Sequence, residues 1–345
     1  MRKSLYPFPA AFWEKWPCAE GTRKHPCIRL RVSSSSIKEM SLLEIHNLRK
    51  HYGSVEALKG ISFSVEQGEC FGILGPNGAG KSTTINILLG LIQPDSGTIR
   101  VFHQDFAIHH IAIRRRMNVA AAFTSMNGVL TVWENLKVYG RIYNVKNLDR
   151  KIEALLERFE ITDLANQKLQ FLSSGQHTRV TLCKGLINDP ELLLLDECTL
   201  GLDPDIAEKT RRALKEFQQE KGTTVLFTSH NMNEVEELCG RIAFLSRGEI
   251  VRIDTAERIK ELIPQQVLEV RFETSADLLP LLQPDGGPLA YRVADHTLRF
   301  VLDSPQQQLD PLLRRLTQAK GKIQDINLTK PTLEDVFIKV AREEL

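Results

Sequence analysis

Apolar and polar residues alternate over 42–48 and again over 61–66, the period of antiparallel strands with one buried face. Residues 69–74 read as a short buried strand, and 84–89 show helical spacing. The turn Pro94-Asp95-Ser96-Gly97 leads into another strand over 97–102. The pattern then lengthens. From about 132 to 184 it is mostly helical, with Val138, Tyr139, Ile142 and Tyr143 on one helix face and Leu155, Leu156 and Phe159 on the next. Leu192 to Leu195 are continuously apolar, as expected of a parallel strand buried on both faces. Residues 223–228 predict a second such strand. Residues 242–245 and 249–251 predict a hairpin around Arg247-Gly248.

Beyond about 265 the order changes. Strand 267–272, helix 276–282, hairpin strands 289–293 and 297–302, helix 309–319 and strand 323–328 give β-α-β-β-α-β, the split βαβ arrangement. A last helix starts at Thr332, capped with the help of Asp335, and its apolar stripe is Leu333, Val336, Phe337 and Val340. No catalytic constellation falls in this region, which reads as a packing or dimer-contact domain.

With 345 residues, 42% hydrophobic and 26% charged, the composition is that of a soluble globular protein with room for two domains. A net charge of +2 implies no strong field toward nucleic acid or membrane. The longest apolar runs are far too short to span a bilayer, so any membrane role runs through another chain. Cys18, Cys27, Cys70, Cys183, Cys198 and Cys239 form no CxxC pair, which speaks against a zinc site or a disulfide framework and for a reducing, cytosolic compartment. Residues 1–39 hold Pro7, Pro9, Pro17, Pro26 and a serine tract, and read as a disordered leader or an extension ahead of a natural start at Met40. His109-His110 and Arg114-Arg115-Arg116 read as solvated surface.

The candidate chemistry sits between the strand at 69–74 and the helix that follows it. Gly75-Pro76-Asn77-Gly78-Ala79-Gly80-Lys81-Ser82-Thr83 fits G-x-x-x-x-G-K-[ST], a phosphate-binding loop in its proper strand-to-helix setting. The glycines let backbone N–H groups turn toward phosphate oxygens, and the helix start adds partial positive charge. Lys81 reaches β- and γ-phosphates, and the Ser82 hydroxyl is a ligand for Mg²⁺. Asp196 ends the leucine strand, where a carboxylate can hold Mg²⁺; Glu197 beside it can polarise an attacking water. Upstream lies Leu172-Ser173-Ser174-Gly175-Gln176, downstream Gly201-Leu202-Asp203-Pro204, and His230 follows the strand ending in Phe227-Thr228-Ser229.

In this order the motifs resemble the nucleotide-binding subunit of ABC transporters, over residues 42 to about 253. The resemblance implies a fold class: an α/β P-loop NTPase with a mixed sheet core, an antiparallel subdomain and a helical subdomain. It divides the chain into 1–39, an ATP-binding domain over 40–254 with its helical part at about 124–184, and an α+β accessory domain over 265–345. It also implies roles. Tyr52 stacks on adenine, worth roughly 1–3 kcal/mol. Gly75 to Thr83 cradle the phosphates, Ser82 and Asp196 hold Mg²⁺, Glu197 is the catalytic base and His230 the switch histidine. Ser173, Gly175 and Gln176 act on the ATP of a second subunit, and Asp203 lies in the loop joining the two. Two ATP molecules would then be sandwiched in a head-to-tail dimer whose hydrolysis drives a separate membrane permease. The protein would be cytoplasmic and peripheral on the inner face of the membrane.

Three positions depart from the family. The metal- and permease-coupled glutamine falls on Ala122, and no glutamine lies between Gln104 and Gln167, so Ser125, Asn127 or water substitutes, or hydrolysis is slow. Ser174 replaces a signature glycine, and Cys198 replaces the proline after the catalytic glutamate. Ile326 and Pro331-Thr332-Leu333-Glu334-Asp335-Val336-Phe337 are similar to the tail of ATPases that power drug, antibiotic and lipid exporters. An ATP-gated clamp with weak hydrolysis is the alternative that Ala122 favours. A translation or DNA-repair ATPase of the same family, which usually carries paired cassettes or long insertions, fits a single cassette less well.

Overall fold

The computed structural model describes residues 41–121, 126–198, 202–261, 266–273, 289–294, 296–303, 305–318, 323–329 and 332–333. Ala122, Ser125, Gly201, the N-terminal leader, the helix expected over 276–282 and the stripe of the last helix beyond Leu333 lie outside them.

The alternating segments make a four-stranded antiparallel sheet. β1 (Ser41–Tyr52) pairs with β2 (Val55–Glu66) on one side and with β4 (Ser96–Val101) on the other, and the short β5 (Gln104–Asp105) closes the order β2-β1-β4-β5. The second sheet has the order β10-β9-β3-β8-β7-β6, from β3 (Cys70–Leu74), β6 (Met117–Ala121), β7 (Leu192–Asp196), β8 (Thr224–Ser229), β9 (Arg241–Ser246) and β10 (Glu249–Asp254). Neighbours from β9 to β6 run parallel, and β10 adds an antiparallel edge. That is the mixed sheet expected of this fold class.

Strand periodicity divides two apolar cores between the faces of the parallel sheet. Leu192, Leu194, Leu226, Phe71, Ile73, Ala243 and Leu245 point to one face, where the antiparallel sheet and α1 (Lys81–Leu88) cover them. Leu193, Leu195, Val225, Phe227, Ile242 and Phe244 point to the other. That side is closed by α3 (Val132–Ile142), α4 (Leu148–Arg158), α5 (Ser174–Leu186) and α6 (Pro204–Lys221). A run such as Leu192 to Leu195 has no polar position because neither face meets water. Between these elements lie α2 (Phe106–Arg115), α7 (Met232–Leu238) and α8 (Ala256–Lys260).

Helix α3 differs from its expected face. It buries Val132, Asn135, Leu136 and Gly140, with Tyr139 and Tyr143 packed alongside, while Val138 and Ile142 are exposed. Gly140 explains the rotation, because a Cβ there would come within 2.1 Å of Leu148, so the helix closes on α4 through its glycine. Asn135 is fully covered and uses its amide to bond the carbonyls of Asn127, Leu130 and Thr131 at 3.0–3.3 Å, pinning the loop before α3. Arg116, read as solvated, is exposed, and on the surface it makes a two-point contact with Glu191 at 2.6 Å and lies over the Phe102 ring.

A third sheet follows, with the order β12-β13-β11-β14. It is built from β11 (Gln266–Phe272), β12 (Leu289–Ala294), β13 (Thr297–Leu302) and β14 (Ile323–Thr329), all antiparallel, with α9 (Pro305–Gln318). This is the strand order of a split βαβ fold. Its core of Leu268, Val270, Phe300, Leu302, Leu312 and Leu316 is separate from the other two. Leu333, after β14, is buried in the helix-covered core on that face of the parallel sheet.

Phe227 is fully buried at the centre of the parallel sheet. Phe227→Ala is expected to destabilise the protein by about 3–5 kcal/mol, read as a lower thermal midpoint; an unchanged midpoint would contradict the two-faced core.

Candidate functional site

The parallel register decides what meets at the carboxyl edge of the sheet. Leu74 is level with Ser229, and Asp196 with Thr228, so the residues that follow β3, β7 and β8 emerge side by side. Gly75 to Gly80 leave β3, Glu197 leaves β7 and His230 leaves β8. Crevices at such strand ends are where open α/β sheets bind ligands.

The loop from Gly75 to Gly80 curls against the β9–β10 turn. The Gly248 N–H donates to the Ala79 carbonyl at 3.0 Å, and the Ala79 N–H to the Pro76 carbonyl at 3.1 Å. A Cβ on Gly75 would lie 2.1 Å from the Leu245 carbonyl oxygen, and Gly80 has φ 111°, so both positions require glycine. Asn77 and Gly78 are exposed at the tip. Lys81 is buried at the start of α1; its ammonium donates to the carbonyls of Gly75 at 2.7 Å and Pro76 at 3.1 Å. Burial lowers its pKa, opposed by the nearby Glu197 and Asp196 carboxylates. Ser82 is exposed and Thr83 half-buried at the same helix start.

Asp196 is half-buried. Desolvation raises its pKa most, opposed by the Thr228 hydroxyl that donates to its Oδ1. Glu197 has φ 51°, a left-handed conformation costing a non-glycine residue about 1–3 kcal/mol. Its N–H is held by the Thr228 carbonyl at 3.0 Å, and its Oε1 lies 3.0 Å from His230 Nδ1. The carboxylate can only accept, so Nδ1 carries the proton in that pair. Behind them, Ser229 Oγ donates to Glu234 at 3.1 Å and accepts from the Asn231 N–H at 3.0 Å. A cavity of about 360 Å³ opens there, lined by Glu197, Arg211, Ser229, His230, Asn233 and Glu234. Cys198 is buried beside Glu197, and burial pushes its thiol pKa well up, which makes it a poor nucleophile.

The other expected residues lie apart. Ser173 caps α5: its Oγ accepts from the Gln176 N–H at 3.3 Å, and Gln176 Oε1 accepts from the Ser173 N–H at 2.9 Å. The Gln176 side chain is thus committed to the cap, with Gly175 in the first turn. Tyr52 is exposed at the end of β1, with the Lys50 ammonium 5.7 Å from its ring. Asp203 is exposed at the start of α6 with no side-chain cap bond. Among the described residues no hydrogen bond or ion pair links the Ser173–Gln176 turn to the strand-end cluster. Asn127, weighed as a substitute for the missing glutamine, uses its Oδ1 to accept from the Val129 N–H at 3.0 Å, a local turn.

No group of three or more His, Cys, Asp or Glu among the described residues could hold a metal unaided. Ser82 and Asp196 are hard oxygen donors, and the desolvated Asp196 carboxyl beside Glu197 is electrostatically fit for a divalent cation whose remaining ligands come from phosphate and water. Thr228, Ser229 and Glu234 were missed from sequence; the polar end of an otherwise apolar parallel strand was the available signal.

A phosphate-binding loop beside a paired acidic strand end and a histidine defines a P-loop ATPase. The ABC transporter family model matches residues 58–200, and that of the ATP-binding protein DrrA1-3-like C-terminal domain matches 255–341. The chain is 34% identical over 308 residues to the Nod factor export ATP-binding protein I of Ralstonia nicotianae, covering 88% of this chain and 95% of that one. To its namesake in Rhizobium meliloti it is 32% identical over 321 residues, covering 92% and 93%. Among solved structures it resembles an ATP-binding subunit of an ABC transporter at TM-score 0.60 and 26% identity, covering 64% of this chain and 93% of that one. It also resembles a dimeric ATP-binding cassette in a post-hydrolysis state with ADP and Pi, at TM-score 0.57 and 28% identity, covering 62% and 98%. The chain belongs to the ABC transporter family and is an ABC-type ATPase.

A carboxylate whose folded pKa is raised binds its proton more tightly when folded, so stability falls as pH rises through the interval between the unfolded and folded values. Asp196→Asn is therefore expected to raise the thermal midpoint of the nucleotide-free protein at pH 7, with the gain shrinking toward about pH 4. A lower midpoint at pH 7 would contradict the desolvation of Asp196.

Proposed function

We propose that this chain hydrolyses ATP to energise a separate membrane permease that exports its cargo, working as a head-to-tail pair of copies at the cytoplasmic face. The observation that carries the reading is the Glu197–His230 pair at 3.0 Å, set beside Asp196 and the buried Lys81 at one sheet edge. The export direction rests on the Nod factor export relatives and the matching C-terminal domain.

In this reading the glycine-rich loop and Lys81 bind the β- and γ-phosphates, and Tyr52 stacks on the base. Ser82 and Asp196 hold Mg²⁺, which when bound neutralises charge on the phosphates. Glu197 orients a water and draws its proton as the oxygen attacks the γ-phosphorus and the bond to the bridging oxygen breaks, releasing ADP. His230, with Nδ1–H engaged by Glu197, holds the carboxylate and turns Nε2 toward the phosphate side. Ser173 and Gly175 present a hydroxyl and helix N–H groups to the ATP of the second copy, and Asp203 lies at the contact between copies. The alternative, an ATP-gated clamp with weak hydrolysis, draws on Ala122, which cannot ligate metal.

Steady-state phosphate release with Mg-ATP decides between them. Glu197→Gln is expected to lower turnover by about 10²–10³ while ATP binding remains, as for loss of a group acting in the transition state. Turnover in the wild type no higher than in the substituted chain would favour the clamp.

A further inference from the structure

Lys184 lies in the last turn of α5 and is 5% exposed. Its ammonium donates to the Val119 carbonyl of β6 at 2.8 Å and sits 5.4 Å from the centre of the Tyr139 ring on α3. Its own carbonyl accepts from Asn118 Nδ2 at 3.1 Å, and Asn118 also donates to Asn188 Oδ1 at 2.7 Å. Helix and strand touch closely here, since a Cβ on Gly185 would come within 3.0 Å of the Ala120 Cβ. One cation thus joins three elements: the helix whose first turn carries Ser173 and Gly175, the strand that runs into residue 122, and the helix after it.

No carboxylate among the described residues pairs with this ammonium. On α3 the Tyr139 ring faces the ammonium, Glu134 is engaged by the Thr131 cap, Lys137 pairs with Asp149 and Arg141 sits in the last turn; just beyond the helix, burial raises the pKa of Tyr143. Strand β6 presents none. Helix α4 packs through Ile152, Leu155 and Leu156, while its Lys151 and Arg158 pair outward with Asp189 and Glu220. A buried charge with one hydrogen bond and a ring face costs more than a methionine or leucine of similar volume, so its place in the fold calls for a function.

We propose that Lys184 is a positioning residue for ATP hydrolysis: its charged link to Val119 and Tyr139 holds the signature helix in register with the strand leading into residue 122. This rests on the hydrolysis reading above. Burial lowers the Lys184 pKa to about 8, so the charge on this link is lost between pH 7 and pH 9.

The test is phosphate release by the full chain with Mg-ATP from pH 7 to pH 9, for the wild type, Lys184→Arg and Lys184→Met. A link that titrates near 8 gives a wild-type fall of about tenfold across that range. Lys184→Arg, which stays charged, is expected to keep its pH 7 turnover and move the fall up by more than one pH unit. Lys184→Met is expected to be about tenfold slower at pH 7 and flat to pH 9, with an unchanged circular dichroism spectrum. A wild-type fall retained in either variant, or wild-type turnover in Lys184→Met, would overturn the proposal. If the arginine chain does not fold, the methionine profile decides. Glu197→Gln run alongside separates the two claims: turnover surviving that substitution sinks the hydrolysis reading, whereas a retained pH limb sinks only this one.

Discussion

Everything at the site depends on the parallel pairing of β3, β8 and β7, a register that only a sheet buried on both faces can hold this firmly. Each strand alternates between two cores, so a slip by one residue would exchange the sets around Leu194 and Leu195. With the register set, Leu74, Ser229 and Asp196 end together, and the loops beyond them deliver Lys81, His230 and Glu197 to one edge. The strained backbone of Glu197 and the desolvated Asp196 are local costs that the packing beneath them holds in place.

The parts of the fold written in contiguous residues were legible in the sequence. The phosphate loop, the leucine strand with its acidic end and the β9–β10 hairpin each carry their own signal. The C-terminal strand order was also readable, since alternation is a local property. What was not legible depends on partners far apart along the chain. Thr228 finds Asp196 only through the sheet register, Gly248 reaches Ala79 across the fold, and the face of α3 is set by the fit of Gly140 on Leu148. Nothing in the sequence neighbours of Lys184 announces that β6 lies against it.

Apart from Tyr52 and Asp203, the expected ATP-binding residues divide into two groups. Lys81, Ser82, Asp196, Glu197 and His230 belong to the strand-end edge. Ser173, Gly175 and Gln176 belong to the start of α5, where the capping box engages the Gln176 side chain and the Ser173 hydroxyl oxygen while Ser173 itself stays exposed. Two half-sites in one chain are what the proposed head-to-tail pairing needs. Leu333, after β14, is buried among the helices that cover the ATP-binding sheet.

The most direct measurement is the mass in solution, by light scattering, of the Glu197→Gln chain with and without saturating Mg-ATP. The account predicts a doubling of mass with ATP that is lost when Ser173 is replaced by arginine. A chain that stays at single mass with ATP bound, or a doubling indifferent to Ser173, would contradict a site shared between two copies.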